Sequence, residues 1–154
     1  MDLEWSDVLL RLGAATGAGM ALGLNRDLQN KPIGMRTLGL VALGAAVVVV
    51  ATVYFETLVA HPDALSRVVQ GVIQGIMAGI SFIGAGVILR DARARTVEGL
   101  TTAATVWVTA ALGIACGLAA WRIAAVGVGV SLFLLVVVGW IERWLGLGEP
   151  ERGD

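Results

Sequence analysis

The polar residues of this 154-residue chain that are able to act together fall into four short blocks: Asn25-Arg26-Asp27, Arg36-Thr37, Arg90, and Glu98 followed by Thr101 and Thr102. Two kinds of chemistry suit them. A guanidinium of Arg26 or Arg36 paired with the carboxylate of Asp27 or Glu98 would lock neighbouring segments through charge-assisted hydrogen bonds. The hydroxyls of Thr101 and Thr102 open an apolar run, where they are placed to cap the first turn of a helix. The positive end of that helix would attract an anion or Asp27. Capping alone accounts for the threonines, and topology anchoring alone accounts for the arginines, so the cluster is a candidate site and not a diagnosis.

Other reactive side chains stand alone. His61 lies beside Pro62 and Asp63 and has no second histidine to work with, which argues against a metal or nucleophile site. Cys116 is the only cysteine and sits in an apolar run, which excludes an intramolecular disulfide and a cysteine-based metal cluster. Ser81, within Gly79-Ile80-Ser81-Phe82, lacks the in-membrane histidine that a serine nucleophile needs. Gly17-Ala18-Gly19 and Gly84-Ala85-Gly86 lie in apolar runs without the strand and lysine of a phosphate-binding loop. No catalytic residue, metal or cofactor is expected, and the chain is not expected to be an enzyme. A net charge of −1 gives no reason to expect a nucleic-acid partner.

The elements that must position the four blocks are set by hydrophobicity. Apolar residues make up 57% of the chain, charged residues 15%, and the mean hydropathy is +0.83, so the expected solvent is a lipid bilayer. Five apolar runs are each long enough to cross a hydrocarbon core of about 30 Å. They are placed at residues 8–24, 38–55, 68–89, 100–120 and 123–141. Backbone polar groups in lipid must be satisfied within the segment, and no run alternates like a barrel strand, so the expected fold is all-α, a bundle of five transmembrane helices. Residues 1–146 are expected to form one transmembrane domain and residues 147–154 a short polar tail, and no soluble C-terminal domain is expected. Trp121 and Arg122 alone are expected to join the last two helices.

Direction follows from basic residues. Eight of the eleven Lys and Arg (Arg26, Lys31, Arg36, Arg90, Arg93, Arg95, Arg143 and Arg152) fall on one side, against Arg11, Arg67 and Arg122 on the other. The positive-inside rule then places the C-terminus in the cytoplasm and the N-terminus outside. Trp5, Tyr54, Phe55 and Trp121 would form the outer aromatic belt, and Trp140 and Trp144 the inner one. All four polar blocks gather at the cytoplasmic leaflet.

Glycine spacing suggests how the helices meet. Gly71, Gly75 and Gly79 recur every fourth residue, as do Gly13 with Gly17, Gly19 with Gly23, and Gly113 with Gly117. Such glycine zippers let helices approach closely, and packing within one bundle is favoured over dimerisation or a pore lining. Gly84 and Gly86 are assigned to the same role. Gln70 and Gln74 neighbour the third-span zipper and are expected to bond across helices.

Longer motifs then carry a resemblance. Gly23-Leu24-Asn25-Arg26-Asp27, Gly34-Met35-Arg36-Thr37, the run from Gly79 to Ile88, and above all the run from Val97 to Ala111 resemble the MgtC/SapB family of membrane proteins, also called MgtC/SapB/SrpB/YhiD. Where that family has Glu-Arg-Glu this chain has Asn25-Arg26-Asp27, and where a His commonly follows Arg-Thr it has Leu38. The resemblance implies a multi-pass protein of the bacterial inner (plasma) membrane, connected with magnesium homeostasis, virulence and survival inside macrophages. It further implies a regulator of other membrane machines, the rotary ATP synthase among them. A transporter or channel for Mg2+ or another small solute is the alternative, with Gln70, Gln74 and Thr105 as candidate lining. Expected partners are the lipid bilayer, a membrane protein such as the ATP synthase, or a second copy of the chain.

Overall fold

A computed structural model describes residues 4–56, 62–91 and 96–145. Helix α1 covers Trp5–Leu28, α2 Met35–Glu56, α3 Pro62–Val87 and α4 Leu100–Gly117; α5 (Trp121–Phe133) continues through a π-helical stretch, Leu134–Val138, into α6 (Gly139–Trp144). Five helical segments are long and apolar enough to cross a membrane: Trp5–Leu28, Met35–Tyr54, Leu65–Val87, Leu100–Gly117 and Trp121–Ile141. The all-helical bundle is interrupted by one feature that hydropathy does not signal. Strands β1 (Leu89–Asp91) and β2 (Thr96–Glu98) form a short antiparallel ribbon between α3 and α4, pairing Leu89 with Glu98 and Asp91 with Thr96. The third helix therefore stops at Val87 instead of Leu89. The tail 147–154, His61, and the side chains of Phe55, Glu56, Arg90, Glu98 and Arg143 lie outside the described residues.

Two helix ends are set by backbone closure and not by loss of hydrophobicity. Helix α1 runs past Leu24 to Leu28, where Asn30 turns into the left-handed region (φ 52°). The Asn30 N–H then donates to Asp27 O (3.1 Å) and the Lys31 N–H to Arg26 O (3.1 Å). This is a Schellman closure, followed directly by Pro32, which cannot continue a helix. Helix α4 ends in the same way. Ala119 takes φ 55°, its N–H donates to Cys116 O (2.9 Å), and the Ala120 N–H donates to Ala115 O (2.9 Å). The α4–α5 connection is thus Leu118-Ala119-Ala120, and Trp121 and Arg122 belong to the first turn of α5.

Helix α4 is the centre of the bundle. Within the spanning segments 61% of α4 is buried, against 39% of α2, 28% of α1, 11% of α3 and 6% of α5, so α1, α2 and α4 form the packed core with α3 and α5 laid against it. Small residues set the spacing. A methyl added at Gly113 would lie 3.0 Å from Ala42 Cα, one at Gly117 2.8 Å from Val49 Cβ, and one at Gly19 3.0 Å from Ala42 Cβ. Helix α2 is thereby clasped between α1 and α4, antiparallel to the first and parallel to the second. Leu22, Leu38, Ala45, Val49, Val106 and Ala110 fill the space between them.

Of the other expected packing glycines, only Gly84 faces the bundle, where it is buried against α4. Gly13, Gly17, Gly71, Gly75, Gly79 and Gly86 have no atom within 4 Å of an added Cβ, and Gly84 meets only Ala103, at 3.7 Å and beyond. The packed side of α3 is instead its aliphatic stripe, Val72, Ile73, Ile76, Met77 and Ile80. Burying larger side chains there yields more dispersion contact than a glycine stripe would, and this turns Gly71, Gly75 and Gly79 outward.

Gly113→Ala drives a methyl into the Ala42 backbone, which has no flexible end to move, and is expected to lower stability by about 1–3 kcal/mol. Gly75→Ala meets nothing and should leave stability unchanged or slightly raised. Thermal unfolding of both variants in one detergent checks the contrast.

Candidate functional site

The four polar blocks lie at one end of the bundle because α1 and α3 end where α2 and α4 begin. Arg26, in the last turn of α1, is 2% exposed and its Nη2 donates to the hydroxyl of Thr102, itself 4% exposed, in the first turn of α4. Thr102 therefore does not cap its own helix. The position before α4 is Gly99, at φ 85°, and no side chain caps the first turn. A methyl at Gly99 would lie 3.1 Å from the Val87 carbonyl carbon and press on its oxygen. That close approach brings the end of α3 against the start of α4 and aims Thr102 at α1.

Asp27 serves a different helix from the one anticipated. Its Oδ2 accepts the Met35 N–H (2.9 Å), the first backbone donor of α2, and not a donor of α4. The chain returns so tightly that an added methyl at Gly34 would overlap the Asp27 carboxylate. Asp27 thus supplies across eight residues what a local capping side chain would supply at a helix N-terminus. Asn25 accepts from Gln29 Nε2 (3.3 Å), and its own Nδ2 is buried with no hydrogen-bond partner among the described residues.

The remaining expected members are more loosely placed. Arg36, Thr37 and Thr101 are exposed. Arg90 and Glu98 are placed by backbone alone, on the β1–β2 ribbon beside the same end. The structure brings together Arg26 with Thr102 and Asp27 with Met35; among the described residues Arg36 pairs with no carboxylate.

A second buried arginine stands at the far end of α1 and was counted from sequence only as a topology charge. Arg11 is 8% exposed; its Nη2 meets Asp7 Oδ2 at 2.7 Å and its Nη1 donates to Gly117 O at 2.9 Å. This completes the end of α4. Ile114 O accepts from Leu118 N–H, Ala115 O from Ala120, Cys116 O from Ala119 and Gly117 O from Arg11, so none of the four terminal carbonyls is left open in apolar surroundings. Arg11 and Arg26 are fifteen residues apart on α1, and Gly117 and Thr102 are fifteen apart on α4. Equal rise on two antiparallel helices, about 22 Å, puts both contacts in register. An arginine inside the first apolar run, fewer than two turns from the start of the helix, is the one available signal in the sequence.

The residues suggested as a solute path do not converge. Thr105 is buried inside the bundle and its hydroxyl donates to Thr101 O (2.7 Å), while Thr109 donates to Thr105 O (2.8 Å). Gln70 and Gln74 are exposed on the outward side of α3. Among the described residues no group of three His, Cys, Asp or Glu side chains is arranged to hold a metal ion.

These packed ends coincide with the motifs quoted from the sequence, and comparison with known proteins gives the same direction. The sequence profile described as MgtC family matches residues 12–144. The chain belongs to the MgtC family. It is 43% identical to protein SrpB of Synechococcus elongatus over 91% of this chain and 78% of SrpB. It is 34% identical to protein SapB of Bacillus subtilis, over the whole of this chain and 67% of SapB. Protein MgtC of Salmonella typhimurium is 38% identical over 74% of this chain, which corresponds to only 45% of that protein. No solved structure matches.

Thr102→Val keeps the shape of the side chain but removes an acceptor from the buried Arg26 guanidinium, and should cost about 1.5–3 kcal/mol. Thr101→Val, on the exposed neighbour, should cost less than about 0.5 kcal/mol. Paired chemical or thermal melts of the two variants in detergent test the assignment of Thr102, and not Thr101, to the clamp.

Proposed function

We propose that this MgtC-family protein is a non-enzymatic regulator in the bacterial inner membrane that docks to another membrane protein through the outward side of α3. The observation that carries the reading is that Gly71, Gly75 and Gly79 lie open, with nothing within 4 Å of an added Cβ, beside the exposed amides of Gln70 and Gln74. Gln74 is two residues from the middle of the Leu65–Val87 span. An amide at that depth gains by meeting a polar group on another helix, and a glycine stripe lets that helix come close. The excess of basic residues on the side of Arg26 and Arg36 supports a cytoplasmic C-terminus and an external N-terminus. The Arg26, Asp27 and Thr102 contacts then stiffen the cytoplasmic end from which Arg36 and Thr101 project. Membership of the family supports the link to magnesium limitation and intracellular survival, and the membrane sector of the ATP synthase is the partner the resemblance implies.

A transporter or channel has less support, because Gln70 and Gln74 lie outside the bundle while the Thr105 hydroxyl is spent within its own helix. A second copy of the chain is the other occupant that the α3 face would accept.

Photo-crosslinking from position 78, on the same outward face, is expected to capture a partner in membranes from cells grown at low magnesium. Gly75→Ile should remove that adduct while leaving the melting temperature within a degree or two. In inverted vesicles, added protein should change ATP hydrolysis, and Gly75→Ile should not. Unchanged hydrolysis at saturating protein, with growth still dependent on the gene, would exclude the ATP synthase as partner. Loss of growth dependence with Gln74→Leu but unimpaired crosslinking would exclude this face as the docking surface.

A further inference from the structure

Between α2 and α3 lies a groove of about 450 Å³ that the bundle leaves open along its side. Its walls are Leu40 and Val48 of α2 with Ile76 and Ile83 of α3, and its floor includes Ala45 and Ala110. Gly44 borders it with nothing within 4 Å of an added Cβ, so the space exists because small residues stand where two helices diverge. The groove starts at Thr37, in the first turn of α2, and reaches Val48. Eleven residues of helix correspond to about 16 Å, which matches the half-thickness of a hydrocarbon core, about 15 Å. Farther along, Val53 and Val72 pack against the core instead of lining the gap.

A cation stands at its mouth. Arg36 is exposed one residue before Thr37 and pairs with no carboxylate among the described residues. Asp27 already takes the Met35 N–H at this helix end, so attraction for an anion rests on Arg36 and not on the helix terminus. Apolar walls one leaflet deep and a cation at the level of the headgroups complement an amphiphile with an extended chain and an anionic head.

We propose that this groove holds one acyl chain of an anionic phospholipid from the leaflet at the α2 N-terminus, with Arg36 at its phosphate. Filling the gap makes α2 and α3 a continuous surface and ties the position of the lightly packed α3 to the lipid beside it. The inference does not depend on what α3 binds on its other side.

Native mass spectrometry of the detergent-purified full chain titrated with dioleoyl phosphatidylglycerol or dioleoyl phosphatidylcholine tests it. The expected result is one saturable phosphatidylglycerol adduct, about fivefold tighter than phosphatidylcholine, the contribution of one arginine at an anionic surface. Gly44→Leu adds a side chain to the groove from a position where a Cβ meets nothing within 4 Å, and should abolish the adduct, whereas Gly129→Leu, on an open face of α5, should not. Arg36→Gln should keep the adduct but equalise the two lipids. Unaltered melting temperatures establish that each variant is folded. Equal affinity of the unaltered protein for both lipids, an unsaturable ladder of adducts unaffected by Gly44→Leu, or a dimer that Gly44→Leu dissociates would each overturn the proposal.

Discussion

The bundle depends on how two arginines on one helix are satisfied in surroundings that offer no water. A guanidinium buried without partners in a low-dielectric setting costs several kcal/mol, and removing one partner of a buried pair is correspondingly destabilising. Arg11 and Arg26 meet that demand at opposite ends of α4, one on the Gly117 carbonyl and the other on the Thr102 hydroxyl. Both contacts hold only in one antiparallel register of α1 on α4. A slide by one turn, about 5.4 Å, would break both together. In a bilayer, where the lipid is as apolar as leucine, such polar contacts fix register where hydrophobic burial does not.

Given that register, the placement of α2 follows from small residues. Gly19 and Gly23 on α1, and Gly113 and Gly117 on α4, leave room for the backbone of α2 near Met35, Ala42 and Val49. Asp27 then holds the start of α2 from the end of α1. Helices α1 and α4 are therefore fixed to each other at both ends, and α2 is held at its start and packed between them as far as Val49. Helices α3 and α5 share little of this, since among the described residues only Ile80 and Gly84 of α3 and Ala124 of α5 are buried. A rigid three-helix core with two lightly held outer helices is an arrangement in which a contact on α3 can change its tilt without disturbing the core.

The hydroxyl groups show the same economy. Thr16, Thr52, Ser81, Thr105, Thr109 and Ser131 each donate to the carbonyl four residues earlier, at 2.7–2.8 Å. Back-bonding of this kind satisfies a hydroxyl inside lipid without requiring a partner helix. Thr102 is different because its oxygen accepts from another helix. This distinguishes it from Thr105, although the two look equivalent as threonines in one apolar helix.

Hydrophobic run length by itself determined that there are five helices long and apolar enough to cross a membrane, since backbone groups in lipid leave no other solution, and it located each helix end to within six residues. The motifs around Arg26, Gly34 and Gly99 were legible as important blocks, but not which helix each side chain serves. Only the tertiary structure decided that Thr102 receives Arg26, that Asp27 caps α2, and that Arg11 is buried on the end of α4. Each contact joins residues from different helices, or across a turn whose closure depends on a left-handed residue such as Asn30. Glycine spacing was the most ambiguous signal, because a stripe of missing side chains marks a surface another helix can approach without saying whether that helix belongs to the same chain. For Gly113 and Gly117 it does. For Gly71, Gly75 and Gly79 the aliphatic side of α3 offers the larger contact area to the core, and that preference turns the glycines outward.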